Sequence, residues 1–125
     1  MDATLLCPIS VIASQLATPT KDTMAQTKQF LDYVATQEEA VLTYNASNMK
    51  LAAHSDASYL SDPKARSRAG GHFFLSNDVT VPHNNGAILN IAHISKHVMT
   101  SATEAELAVL YITTREAVYL HILLE

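Results

Sequence analysis

The chain has 125 residues, of which 48% are hydrophobic and 16% charged, with only three glycines and four prolines. This length and composition predict one folded domain, and they exclude a multidomain enzyme and a disordered or linker-like segment. The formal net charge of −4 argues against nucleic-acid binding through bulk positive charge, so any phosphate contact would need a local basic patch.

The composition is typical of an intracellular protein. Cys7 is the only cysteine, which excludes an intrachain disulfide or a cysteine-based zinc site and agrees with a reducing compartment. Asp2 stands where a secretory signal would carry a basic residue, and no run reaches the roughly 18–20 apolar residues of a membrane span. We therefore expect a soluble protein, cytoplasmic or nuclear, with no membrane partner.

Two helices are predicted near the N-terminus. Ile9 to Leu16 is a short apolar run that follows Pro8, a residue type favoured at helix starts. Thr20 is a suitable N-cap for a second helix, Lys21 to Ala35. Residues of this second segment recur at spacings of three and four, which predicts a buried helical stripe: Met24, Thr27, Leu31 and Val34.

The middle of the chain predicts a small antiparallel sheet. Apolar-rich runs bounded by turn-forming residues indicate the strands: Ala40 to Tyr44, Met49 to Ala57, His72 to Ser76 and Ile88 to Ser95. The first two runs are separated by residues 45–48, which are mostly turn formers, so we expect these two runs to form a hairpin.

A long helix is predicted from Ser101 to Glu125, a stretch without glycine or proline. Its apolar residues occupy nearly every side of a helical wheel, as in a helix sandwiched between other elements. Ser101 and Glu104 fit a capping box, in which the serine accepts from the third helical amide and the glutamate reaches back to the Ser101 amide. Glu104 therefore has a predicted structural role.

Two other carboxylates are candidates for chemistry. Glu106 lies beyond the reach of that cap in an apolar stretch, where an ionised carboxylate is costly unless it is paired or bound to a cation. Alternatively, Glu106 lies on a solvated edge of the helix. Asp56 lies in a predicted strand, where aspartate is uncommon, so it is either a turn-initiating residue or a ligand. The residues alone leave these alternatives open.

Several segments have the order and spacing of a known family. They are Ser55-Asp56-Ala57-Ser58-Tyr59, Gly71-His72-Phe73-Phe74-Leu75 and Ser101-Ala102-Thr103-Glu104-Ala105-Glu106-Leu107. Together they resemble the ribonuclease H segment of copia-type LTR-retrotransposon Pol polyproteins. Upstream, Thr23 to Tyr44 is similar to the connection between reverse transcriptase and ribonuclease H in that family.

The resemblance implies an α/β (α+β) protein with a partial ribonuclease H-like fold. We expect a three-stranded antiparallel sheet and a long C-terminal helix, preceded by two short helices and a strand or hairpin. Residues 1–48 would form the connection region that follows a reverse transcriptase, and residues 49–125 the N-terminal part of the ribonuclease H-like domain.

The resemblance also implies cleavage of the RNA strand of RNA–DNA hybrids with two divalent cations, Mg²⁺ or Mn²⁺. Asp56 and Glu106 match the acids that are catalytic and bind metal in the family. Carboxylate oxygens suit these hard cations, one of which activates the attacking water while the other stabilises the leaving oxygen.

The chain lacks some of the acidic residues that the family uses. The family's third acid, in a Thr-Asp-Asn-like motif beyond the helix, has no counterpart before Glu125, and the Tyr-x-Asp-Asp motif of a polymerase is missing. Asp62 and Asp78 are candidate substitutes, but both fit solvated turns better. We therefore expect the isolated chain to bind cations weakly and to be inactive.

Lys64, Arg66 and Arg68 place three of the eight basic residues within five positions. They either hold the phosphates of a hybrid near the metal site or form a solvated turn that discourages edge pairing. The family strand that would pair beside Asp56 is also missing, which predicts an open strand edge. The expected partners are an RNA–DNA hybrid, the rest of a Pol polyprotein, or a second copy at that edge.

Two other interpretations of the sequence compete with the nuclease ancestry. One is a non-catalytic module that binds nucleic acid or a partner chain, and another is a decayed remnant without a selected role. His93 and His97 have the four-residue spacing of zinc ligands on a helix. Because the stretch predicts a strand and a turn, and no carboxylate accompanies the histidines in the usual motif, we do not favour zinc.

Overall fold

The computed structural model describes residues 3–37, 39–77 and 80–125 of the chain. After a 3₁₀ turn at Ala3–Leu5, the elements are α1 (Leu6–Ser14), α2 (Lys21–Thr36), β1 (Lys50–Asp62), β2 (Arg66–Ser76), β3 (Ala87–Ile94) and α3 (Ala102–Leu124). The chain forms two compact units, Met1–Leu42 and Thr43–Glu125. The antiparallel sheet and the long C-terminal helix confirm the predicted α+β class.

The N-terminal unit consists of α1 packed against α2. Thr20 caps α2 as predicted, because its hydroxyl accepts from the Thr23 amide at 3.2 Å and the Thr23 hydroxyl accepts from the Thr20 amide. The Thr23 hydroxyl also donates to Gln15 Oε1 at 2.7 Å, just beyond the end of α1. These bonds satisfy amides that a helix start leaves without intrahelical partners.

The predicted buried stripe of α2 is only partly right, because Thr27 and Val34 are half-buried but its other two members are exposed. Met24 and Leu31 are 72% and 59% exposed, whereas Thr23 is buried. The side of α2 that faces α1 includes Gln26 and Phe30, which line a groove with residues of α1. The covered side of α2 therefore runs through Thr23, Thr27, Phe30 and Val34, and it differs from the predicted stripe at two positions.

The predicted strand at Ala40–Tyr44 is also wrong, and with it the hairpin to β1. Residues 39–49 are irregular. The Tyr44 hydroxyl donates to the Ala87 carbonyl at 3.0 Å. The side chain of Asn85 accepts from the Asn45 amide at 2.7 Å and donates to the Asn45 carbonyl at 2.9 Å. Side-chain hydrogen bonds therefore join Tyr44 and Asn45 to the start of β3, in place of a strand ladder.

β1 pairs with β2 instead. The antiparallel register runs from Lys50 opposite Ser76 to Ser58 opposite Arg68, and β2 then pairs with β3. The strand order is β1-β2-β3, so β1 lies at an edge of the sheet. Both β1 and β2 extend further toward their shared turn than the sequence predicted.

The turn between β1 and β2 explains that difference. Lys64 and Ala65 have φ values of 64° and 52°, in the left-handed region that favours glycine and asparagine. Because these two positions carry neither residue type, the sequence lacks the usual signal of a hairpin turn. The strands were therefore expected to end earlier on both sides.

Each face of the sheet buries a phenylalanine. Side chains alternate along β2, so Ala69 and Phe73 project from one face and Phe74 from the other, and all three are fully buried. α3 contacts β1 and β2. His93 pairs with Ala69, hence shares its face, and lines a groove with residues of α3. We infer that α3 covers this face, the helix face; the face that carries Phe74 is the loop face.

Residues 83 and 84, which precede β3, contact the loop face near Phe74. The Ser76 hydroxyl donates to the His83 carbonyl at 3.0 Å, and the side chains of Asn84 and His54 are hydrogen-bonded at 3.0 Å. Both faces of the sheet are thus shielded from solvent at β2, whereas β1 is largely exposed.

α3 is buried along one side only. Its buried residues are Ala105, Val109 and Thr113, spaced four apart. Large apolar side chains on its other sides are exposed, namely Leu107, Leu110, Tyr111, Val118, Tyr119, Ile122 and Leu123. Within the described part of the chain, the prediction of a helix sandwiched on all sides is therefore wrong.

α3 is long and apolar enough to cross a membrane by length and composition, with a mean hydropathy of 1.4 over the best window. The apolar residues of α3 are interrupted by polar and charged residues, so α3 contains no uninterrupted apolar run of this length. A single helix of this kind is weak evidence for a span, since the core helix of a soluble domain passes the same test. Here α3 packs on the sheet as such a core helix does, although only 11% of the window is buried.

Candidate metal and nucleic-acid site

Asp56 lies within β1, opposite Gly70 in the register. Its side chain is exposed, and by alternation it projects from the loop face, as His54 does. β1 continues to Asp62, so the alternative that Asp56 initiates a turn is excluded. The carboxylate is accessible at the edge of the sheet.

Glu106 lies in the second turn of α3, directly after the buried Ala105, and it is exposed. Leu107 and Tyr111 line a groove together with His93 of β3. Glu106 lies on the other flank of the helix, which faces toward β1. Asp56 projects from the loop face, whereas we infer that α3 packs on the helix face, so any cation shared by the two carboxylates would have to bind at the outer edge of β1.

The described residues supply few further metal ligands. Within the ranges 3–37, 39–77 and 80–125, no group of three or more histidine, cysteine, aspartate or glutamate side chains could hold a metal ion. Two cations about 4 Å apart need more oxygen ligands than two carboxylates supply. The described residues do not fit a two-cation centre. The roles of Asp56 and Glu106 as metal ligands remain predictions.

Asp62 is not available as a substitute for the missing third acid, because it is paired with Arg68. The Arg68 Nη2 and Nε atoms donate to the two carboxylate oxygens at 2.8 and 3.1 Å, and the side chains are 12% and 9% exposed. This two-bond geometry is the strong form of a charged pair. Asp62 ends β1 instead of standing in a solvated turn, and the charge of Arg68 is offset. Asp78 lies outside the described residues.

Lys64 and Arg66 are exposed at the tip of the β1–β2 hairpin. Lys64 belongs to the turn, whereas Arg66 is the first residue of β2, so the basic run is only partly a loop. Together with the pairing of Arg68, this leaves two of the three predicted phosphate-binding side chains at the surface.

The start of α3 has the expected serine cap and an unexpected partner for Glu104. Ser101 Oγ accepts from the Glu104 amide at 3.1 Å, as predicted. Glu104 Oε2 accepts from the amide and the hydroxyl of Thr100, one residue before the predicted Ser101 amide. These bonds, chiefly the one from the Thr100 amide, hold the pKa of Glu104 below its ordinary value. Glu104 has a structural role, as expected.

Two histidines are paired on the loop face of the sheet. His54 lies directly opposite His72, and both rings pack about 5 Å from the ring of Phe74. His72 Nδ1 is 2.8 Å from Asn90 Oδ1. The two-residue spacing of His72 and Phe74 indicates a shared face, but the asparagine partners come from distant positions that the sequence does not connect.

Comparison with family models, with curated proteins and with solved structures gave no match. The likeness to ribonuclease H segments therefore rests on the three motifs and on the order of the elements that carry them.

Proposed function

We propose that the chain is part of a ribonuclease H-type domain from a retrotransposon Pol polyprotein, located inside the cell, and that it does not cleave hybrid on its own. The observation that supports this most is the succession of three antiparallel strands and a long helix, with Asp56 in the first strand and Glu106 in the second turn of the helix. The three motifs lie on these elements in the order that the resemblance implies.

The two carboxylates account for the expected lack of activity. Asp56 and Glu106 are exposed, and they supply acidic oxygens for no more than one weakly held Mg²⁺ or Mn²⁺ at the edge of β1. A misplacement of about 1 Å in such a centre costs roughly a hundredfold in rate. The protein's own residues thus retain part of a metal site without the set that in-line hydrolysis requires.

Manganese binding provides the test. We expect Mn²⁺ to broaden the amide NMR signals around Asp56 and Glu106 selectively, because a paramagnetic ion acts only on nearby nuclei. Asp56→Asn should weaken this effect at least about fivefold, since one of two charged ligands is lost. Asp32→Asn, which removes an exposed aspartate from α2, is the matched control and should leave the broadening unchanged.

The same samples are assayed for cleavage of an RNA–DNA hybrid in Mg²⁺ and in Mn²⁺, and we expect none. Cleavage that disappears in Asp56→Asn would contradict the predicted inactivity. Broadening that is equal around Asp32 and Asp56 would remove the support for a shared site at the edge of β1.

A second candidate function is hybrid binding without cleavage, favoured by the exposed Lys64 and Arg66 at one hairpin tip. Two phosphate contacts predict that affinity falls about tenfold between 50 and 200 mM salt. The double variant Lys64→Ala/Arg66→Ala should lose most of this salt dependence, as measured by fluorescence anisotropy of a labelled hybrid.

The control for this experiment removes the same charge elsewhere. Lys21→Ala/Lys28→Ala changes two exposed lysines of α2 and should bind the hybrid as the unmodified chain does. If both double variants reduce affinity equally, the effect is one of net charge, and the hairpin tip is not a binding site.

A further inference from the structure

β1 lies at an edge of the sheet, with β2 on one side and, in the described part of the chain, no strand on the other. The backbone N–H and C=O groups that point away from β2 therefore have no partner strand. Four consecutive residues of β1, Ala53–Asp56, are exposed although their side chains alternate between the two faces. This part of the edge is therefore accessible to another extended strand.

A bulge limits the part of β1 that can pair regularly. The register to β2 shifts between Ser58 and Asp62, and Leu60 has a φ value of 52°. A bulge of this kind bends an edge strand and interrupts its row of hydrogen-bonding groups. The regular part of the edge, which we call the free edge, is Lys50–Ser58, where each residue lies opposite one residue of β2.

The free edge carries two formal charges of opposite sign. Lys50 and Asp56 are both exposed, and because they are six residues apart they project from the same face. Charges on an edge strand usually discourage pairing, because an ordinary partner strand leaves them without a counter-charge. A partner that carries the opposite charges in the matching order would instead satisfy both.

A second copy of the same strand is such a partner. Two identical strands can pair antiparallel about a two-fold axis, so that each contact occurs twice. With the axis at Ala53, Lys50 of each copy lies opposite Asp56 of the other, and both charge pairs form together. Any other register breaks both pairs, and an axis at Asp56 places two carboxylates opposite each other.

The other contacts of this register are compatible with pairing. Small or unlike side chains lie opposite one another, namely Ala53 and its counterpart, Ala52 and His54, and Leu51 and Ser55. All of these pairs join residues whose side chains project from the same face, so the loop faces of the two copies lie on one side. Two three-stranded sheets would thus form one continuous sheet.

We propose that the chain associates with a second copy of itself through the free edge, in the antiparallel register centred on Ala53. Backbone hydrogen bonds between the two strands drive the association, and the two Lys50–Asp56 pairs select the register. The proposal does not depend on the ribonuclease H likeness. It shares Asp56 with the proposed cation site, because a paired strand would occupy the edge at which that cation would bind.

Sedimentation of the full chain over a range of concentrations tests the association. We expect a reversible monomer–dimer equilibrium with a Kd of roughly 10–100 µM, because one short strand pair buries less area than a standard interface. Hydrogen exchange should slow selectively within residues 50–58 as the dimer forms. Absence of a dimer at about 1 mM overturns the proposal, as does a dimer in which exchange of these residues is unchanged.

Charge reversals test the register. Lys50→Glu and Asp56→Lys each place like charges opposite one another in both pairs, so each variant alone should dimerise at least about fivefold more weakly. Mixed in equal amounts, the two variants should form a heterodimer about as stable as the unmodified dimer, because both pairs then join opposite charges. A mixture that does not regain association contradicts the register.

Matched controls make the same charge changes outside the sheet. Lys28→Glu and Asp32→Lys alter exposed side chains of α2, and neither should change the Kd by more than about twofold, because salt screens distant charges. If Lys50→Glu and Lys28→Glu weaken the dimer equally, the effect is one of net charge and the free edge is not the interface.

The double variant Lys50→Glu/Asp56→Lys separates this proposal from the proposed cation site. It should dimerise about as well as the unmodified chain, whereas it should lose the selective broadening by Mn²⁺ because it lacks the Asp56 carboxylate. Far-UV circular dichroism checks that each variant is folded. Should Asp56→Lys unfold, Ala53→Glu places two carboxylates opposite each other at the axis and should weaken the dimer at least about fivefold. An unchanged dimer in Ala53→Glu overturns the proposal.

Discussion

Replacing Phe73 by alanine is expected to destabilise the C-terminal unit by about 3–5 kcal/mol. Phe73 projects from the helix face of β2, where it is fully buried, and it pairs with Leu89 of β3 and Ala53 of β1. Removing the ring deletes apolar contacts and leaves a cavity beneath α3 that the sheet backbone cannot close. Urea denaturation followed by circular dichroism measures the change.

Tyr119→Ala is the control for this substitution, because it removes an aromatic ring of similar size from an exposed position. It should change the free energy of unfolding by less than about 0.5 kcal/mol. If Phe73→Ala were as mild as this control, α3 would not cover the helix face, and the placement of Glu106 on the flank toward β1 would lose its basis.

Replacing Gly86 by alanine is expected to cost about 1–3 kcal/mol, the usual range for overpacking a filled site. A Cβ atom at position 86 would lie 2.7 Å from the Thr43 carbonyl oxygen and 2.7 Å from a ring carbon of Tyr44. Because one of these atoms belongs to the backbone, the segment at 43–44 must move. The hydrogen bond from the Tyr44 hydroxyl to Ala87 should weaken with it.

Gly70→Ala is the matched substitution, since a Cβ atom there would meet only the Asp56 carbonyl oxygen at 3.5 Å, an ordinary contact. We expect this variant to be neutral or slightly stabilised, because alanine loses less conformational freedom than glycine in a strand. Thermal unfolding of the two variants side by side measures the difference. Equal melting temperatures would show that residues 43–44 do not pack on the start of β3.

Local sequence patterns were sufficient to predict features that depend only on neighbouring residues. Thr20 and Ser101 were predicted as helix caps, and each hydroxyl accepts a hydrogen bond from the third helical amide. This cap needs only a hydroxyl three residues before the donating amide. Glu104 was also predicted as part of a cap, but its carboxylate accepts hydrogen bonds from the amide and hydroxyl of Thr100 instead of from the Ser101 amide. The choice between adjacent amides depends on how the chain enters the helix.

The candidate site was only partly foreseeable. Asp56 in a strand and Glu106 inside a helix follow from the pattern of the residues, and the structure has both on those elements. Their predicted convergence on one cation remains a prediction that the manganese experiment tests. The pairing of Arg68 with Asp62 was not foreseen, because it requires the hairpin turn at Lys64 and Ala65, whose conformation the residue types do not indicate.

The amino-acid sequence alone specified which segments become helices and strands in most of the C-terminal unit, since helix and strand periodicity and capping act within a few residues. Tertiary contacts decided that β1 pairs with β2 and not with residues 40–44, and that Asn85 bonds Asn45 at the start of β3. They also decided which sides of α3 are left exposed. These outcomes depend on contacts between residues far apart in the chain, whose energies no local pattern encodes.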